Sequence, residues 1–129
     1  MENSDKYSKY YSDDSFWKKL RRFAGKAGVK VAYVALLLYY MLVDEAIDMK
    51  SKMTIVAALG YFIFPIDLIP DFAPLIGFTD DFSVLMVAYS IVKVEVNNSH
   101  RLKARKTLGE WFKNVDEHQL LDIENGRDV

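Results

Sequence analysis

The sequence predicts an all-α fold, a small bundle of about four or five helices organised around a central Pro/Asp-rich turn. Three observations carry this reading. Apolar residues recur at helical spacing or fill whole helix-length runs, no alternating run is long enough for a convincing strand, and Pro65, Pro70 and Pro74 crowd into one short segment. A chain of 129 residues fits one domain with a modest core. Residues 1–14 read as a polar, disordered tail, 15–116 as the helical domain, and 117–129 as a frayed C-terminal tail.

The first helical segment is "FWKKLRRFAGKAGVK", in which Phe16, Trp17, Leu20, Phe23, Ala24 and Ala27 share a stripe and bases fill the other face. From Phe16 to Lys30 there are six bases (Lys18, Lys19, Arg21, Arg22, Lys26, Lys30) and no acid. Such a cationic amphipathic helix either packs its stripe on the core or lies on an anionic membrane surface. For the second reading, the lipid-contacting residues are Phe16, Trp17, Lys18, Lys19, Leu20, Arg21, Arg22 and Phe23. Next, "VAYVALLLYYMLV" is apolar on all sides but bounded by Lys30 and Asp44, shorter than the roughly 17–25 residues of a membrane span. It reads as a buried helix. "DEAIDMKSK" is a polar connector, and "MTIVAALGYFIF" resumes an apolar helix that Pro65 is expected to interrupt.

After the proline-rich turn, Thr79, Asp80 and Asp81 form a helix start ahead of "FSVLMVAYSIVKVEV". A polar break, "NNSH", precedes a last amphipathic helix in "RLKARKTLGEWFKNV", with Leu102, Leu108, Trp111, Phe112 and Val115 as its apolar side.

The stretch "YFIFPIDLIPDFAPLIGFTDDFSVL" resembles the signature of the YkvA-like domain, a small, mostly bacterial helical domain of unknown function. The likeness rests on Pro65, Asp67, Leu68, Ile69, Pro70, Asp71, Pro74, Gly77, Asp80 and Asp81, with the signature at about residues 53–92. It extends upstream through "FWKKLRRFAGKAG" and "ALLLYYMLVDEAIDMKSK". From Asp44 the chain reads "DEAIDM" where members of that family often carry a proline-containing turn, which weakens any carry-over to Asp44 and leaves the central motif untouched. The resemblance implies membrane association and names no reaction.

Between Met53 and Val92 lie forty residues whose only charges are Asp67, Asp71, Asp80 and Asp81. An ionised carboxylate without a partner costs several kcal/mol to bury, so each must be exposed, hydrogen-bonded, protonated or paired. Asp80 and Asp81 can cap the following helix, and Asp67 and Asp71 can close Asx-type turns. Alternatively, the four converge on a hard divalent cation, Mg²⁺, Mn²⁺ or Ca²⁺, because an all-oxygen donor set selects such ions. In a third arrangement they serve as counter-ions to the basic helix. His100 and His118 lie outside the acidic segment, which speaks against a zinc or iron site of mixed ligands.

The absence of cysteine excludes disulfides and thiolate metal sites. There is no nucleophile elbow, phosphate loop or dinucleotide fingerprint. A net charge of -1 and the lack of a reader motif argue against nucleic acid as a partner. The polar start "MENSDKYSKYYSDDS" is not a cleaved signal peptide. With 51% hydrophobic residues and two basic runs bracketing the apolar middle, a membrane lipid surface or a membrane protein is the expected partner. Two arrangements fit, a compact bundle with an exposed apolar face and an inserted hairpin with its charged ends cytoplasmic. The reading is a non-catalytic, membrane-associated interaction or scaffold module with a divalent-cation site at its acidic turn. A metal-dependent enzyme acting on a phosphorylated lipid or another phosphate-containing substrate is the alternative.

Overall fold

The computed structural model describes residues 14–68 and 84–125, with side chains described throughout except at 14–16, 23, 24, 26, 27 and 62–68. Helix α1 (Asp14–Ala27) turns Leu20 fully into the core and leaves Lys18, Arg21 and Arg22 exposed, as its spacing requires. It stops at Gly28, whose φ of 108° is open to glycine and strained for any other residue. The same residue starts α2 (Val29–Leu42), the Ala32 amide donating to the Gly28 carbonyl at 3.0 Å.

Helix α2 is the axis of the bundle. Ten of its residues are buried because α1, α3, α5 and α6 all pack against it, which is why the sequence is apolar on every side. At 14 residues it runs about 21 Å, short of a bilayer's hydrocarbon core. Among the described residues, no helix is long and apolar enough to cross a membrane.

A connector through Asp44 and the buried Ile47 leads into α3 (Met49–Leu68). This helix runs through Pro65 instead of ending before it. A proline three residues from the helix end forfeits a single backbone bond, to the Tyr61 carbonyl, and the break expected from sequence does not occur there. Helix α4 is described over residues 84–92, buries Leu85, Met86, Ala88, Tyr89 and Val92, and tightens into a 3-10 turn at Lys93–Glu95.

Helix α5 (Asn98–Trp111) begins inside the expected polar break, since Asn97 is its N-cap. That start sets the register. His100, Ala104, Thr107 and Leu108 face inward, whereas Leu102, expected on the apolar side, is 67% exposed. Trp111, Phe112 and Val115 pack against the core as their spacing suggests. The expected frayed C-terminus is also corrected over most of its length. Asp116 caps α6 (Glu117–Glu124) through the His118 amide at 3.0 Å, and Leu120 and Ile123 are buried against the bundle. Among the described residues there is no strand, and the architecture is a small all-α bundle.

Candidate functional site

The basic helix packs its apolar side inward. Trp17 stacks in an aromatic cluster with Tyr39 and Trp111, at centroid distances of 4.9 and 5.3 Å, while Tyr40 meets Trp17 edge-on at 6.4 Å. Trp17 and Leu20 therefore face protein in this arrangement, and what α1 offers outward is Lys18, Arg21 and Arg22, with Lys19 half-buried. The side chains of Phe16 and Phe23 lie outside the described residues.

The candidate metal ligands also lie outside them. Asp67 is placed by its backbone in the last turn of α3, with no side chain described, and Asp71, Asp80 and Asp81 fall in 69–83. Among the described residues, no group of three or more His, Asp or Glu side chains is placed to hold a metal.

A polar knot that sequence reasoning missed ties the connector after α2 to the start of α5. The Asn97 amide donates to His100 Nδ1 at 3.1 Å, and the His100 amide donates to Asn97 Oδ1 at 3.1 Å, a reciprocal cap. Nδ1 must then be the unprotonated nitrogen, so Nε2–H donates to Asp44 Oδ2 at 2.7 Å. The other Asp44 oxygen accepts from the Ala46 amide at 2.9 Å. That amide, with His100 second, holds the Asp44 carboxyl below the usual carboxylate range. With both ring nitrogens engaged and the ring 1% exposed, His100 has no lone pair left for a metal or a substrate proton. Its role is to hold the connector. The asparagine three residues before the histidine was the available signal.

Glu95 forms a smaller knot at the start of α3. One oxygen accepts from the Ser51 hydroxyl and the other from the Asp48 amide at 3.0 Å. These bonds, the hydroxyl first, lower its pKa. They bind the turn after α4 to the first turn of α3.

On the other side, Glu124 of α6 accepts from the buried Tyr33 hydroxyl at 2.5 Å and pairs with Arg105 Nη2 at 2.8 Å. Arg105 also reaches Glu117 at 2.7 Å and lies 5.8 Å over the Tyr33 ring. Burial, and then the carboxylate of Glu124, push the Tyr33 phenol well above its ordinary value. Tyr40 and Thr107 share a hydroxyl bond at 2.6 Å between α2 and α5.

The outward sides of α3 and α4 differ from all of this. Met53 and Tyr61 of α3, Val87 and Ile91 of α4, and Val94 after it are exposed apolar residues, and no charged residue stands among positions 53–61 or 84–92.

A family model described as "Protein of unknown function (DUF1232)" matches residues 51–87. The chain is similar to that uncharacterised family over most of α3, the proline-containing residues 69–83 and the first described residues of α4, the region on which the YkvA-like resemblance rests. No curated protein and no solved structure matches the chain.

Proposed function

We propose that this chain is a non-catalytic, membrane-associated interaction module of the YkvA-like kind that meets anionic lipid through the outward face of α1. The observation that carries this reading is the exposed set Lys18, Arg21 and Arg22 on a helix whose flanking sequence holds no acid from Phe16 to Lys30. The inward packing of Trp17 and Leu20 makes the contact electrostatic at this helix and gives it a firm mount. Binding then falls as salt rises. Co-sedimentation with phosphatidylglycerol-containing vesicles tests it. Wild type should pellet at low salt, and Lys18→Glu with Arg22→Glu should stay in the supernatant, whereas equal pelleting of the two proteins would refute the assignment.

A hard divalent cation at the acidic turn belongs to the same reading. Asp67, Asp71, Asp80 and Asp81 would hold it, and the support is donor chemistry, four carboxylates with no imidazole or thiolate among them. Unfolding temperature measured in chelator and then in Mg²⁺, Mn²⁺ or Ca²⁺ decides this. A concentration-dependent rise that Asp71→Asn loses supports a site, and no rise in wild type removes it.

A further inference from the structure

The knot at His100 has one position where a further proton would have to enter, and that position is occupied. The ring is 1% exposed, with Nδ1 accepting from the Asn97 amide at 3.1 Å and Nε2–H donating to Asp44 Oδ2 at 2.7 Å. Nδ1 holds the only basic lone pair of the neutral ring, and the Asn97 N–H points at it. A proton arriving there would face that N–H head-on, so the cap bond must break to admit it. Asn97 itself is exposed, and its movement opens the way from solvent to Nδ1.

We propose that His100 is a proton-operated latch: protonation at Nδ1 releases the Asn97 amide and loosens the junction between the turn after α4 and α5, while the Asp44 contact holds. A buried imidazolium needs a counter-charge, and one is in place. The Ala46 amide first, and His100 second, hold the Asp44 carboxyl below the usual carboxylate range, so it is ionised wherever imidazoles titrate. The ring therefore takes up the proton without leaving its seat, strengthening one contact and losing the other. Few other charges surround it. α2 brings none over residues 31–43, and α4 none over 84–92. On the connector Glu45 and Asp48 are exposed, and after α4 Lys93 is exposed while Glu95 is engaged by Ser51 and the Asp48 amide. On α5, Arg101 donates to Asn98 at 2.9 Å and Lys103 acts on Asp44. The turn is tied to α3 through Glu95 and to α5 through the reciprocal cap, and protonation removes only the Asn97 amide's half of that cap. The response is thus local, at residues 95–97, with the bundle intact. It is independent of the lipid reading.

Nuclear magnetic resonance of the full chain tests this, following the ring nitrogen shifts of His100 and the exchange protection of the Asn97 amide from about pH 8 to about pH 5. At the upper end the shifts should show Nδ1 bare and Nε2 protonated. As pH falls, both nitrogens should become protonated, and protection of Asn97, corrected for the intrinsic exchange rate, should drop about tenfold in step with the ring while α2 is unchanged. His100→Gln is the control. Glutamine at the third helical position still accepts from the Asn97 amide but takes up no proton, and the exposed His118 remains in the variant. Its Asn97 protection should be the same at both ends of the range. A ring that stays neutral throughout, or one that gains a proton while Asn97 stays as protected as before, would overturn the proposal. So would an equal loss of Asn97 protection in His100→Gln, which would place the response on another group.

Discussion

Around α2 the molecule is held in two different ways. On the side of α5 and α6, polar groups far apart in sequence are tied together: Tyr33 and Arg105 both with Glu124, His100 with Asp44, Tyr40 with Thr107. On the side of α3 and α4, apart from the Glu95 knot at one end, the buried contact is apolar, through Ile55, Leu59, Leu85 and Val92, and apolar residues continue onto the exposed side. Matched polar groups in a low-dielectric setting fix one arrangement, because a misplaced partner leaves a desolvated charge. Apolar contact is less particular. The first side is built to be a fixed frame, and the second offers a surface.

The largest effect that could break this comparison is at Glu124. Glu124→Ala leaves both the Tyr33 hydroxyl and the Arg105 guanidinium short of a partner, and should cost about 2–3 kcal/mol by urea unfolding. Tyr33→Phe, which removes the donor and leaves the ion pair, should cost about 1 kcal/mol. Equal losses from the two variants would mean that the ion pair adds nothing and that the frame is weaker than its geometry suggests.

His100→Ala comes next, at about 1–2 kcal/mol, since it removes one half of the α5 cap and the partner of Asp44. Amide hydrogen exchange should show the loss concentrated at residues 44–47 and 97–101 rather than spread through the bundle. Uniform loss of protection would show that the knot belongs to the global core and not to the connector.

The dependence on pH tests the polar contacts, including the one by which Glu95 joins the end of α4 to the start of α3. Asp44 and Glu95 have folded pKa values below their unfolded ones. Their contribution is therefore complete above the ordinary carboxylate range, near pH ~4, and is lost as pH falls through the lowered values. Tyr33 is shifted upward, so its contribution is complete below its ordinary value near ~10 and declines as pH rises past it, while the unfolded chain ionises and the folded one resists. A scan of unfolding temperature should show both limbs, and Tyr33→Phe should flatten the alkaline one.

Much of this division was legible in the sequence. The burial of α2 follows from a run apolar on every side, and the basic outer face of α1 from an acid-free stretch at helical spacing. The polar frame was not, because pairs such as Tyr33–Glu124 and Asp44–His100 stand 91 and 56 residues apart, and nothing local joins them. The exposed side of Leu102 does not follow from spacing alone, because the side of a short helix depends on where it starts and the Asn97 cap sits within a polar run that looks like a break. Helix α6 is faint in the sequence because eight residues with two buried apolar positions make a weak periodic signal, although Asp116 is a usable cap. Pro65 does not end α3, since a proline three residues from the helix end removes one backbone bond. Asp71, Asp80 and Asp81 lie outside the described residues and Asp67 is described by its backbone alone, in the last turn of α3, so the cation reading still rests on the sequence.

The smallest expected effect on stability is also the one that separates surface from frame. Val87 and Ile91 sit on the same helix as the fully buried Leu85, yet about three-fifths of each is in solvent. Val87→Ser with Ile91→Ser should therefore shift the free energy of unfolding by no more than about 0.5 kcal/mol, in contrast with Glu124→Ala. Burial in the core gives no reason for apolar residues at these two exposed positions. A near-zero cost in urea unfolding would mean that the stripe takes no part in the fold's own packing. A cost of about 2 kcal/mol would instead show that the stripe is part of the core's own packing, and the difference between the two sides of α2 would reduce to one of composition.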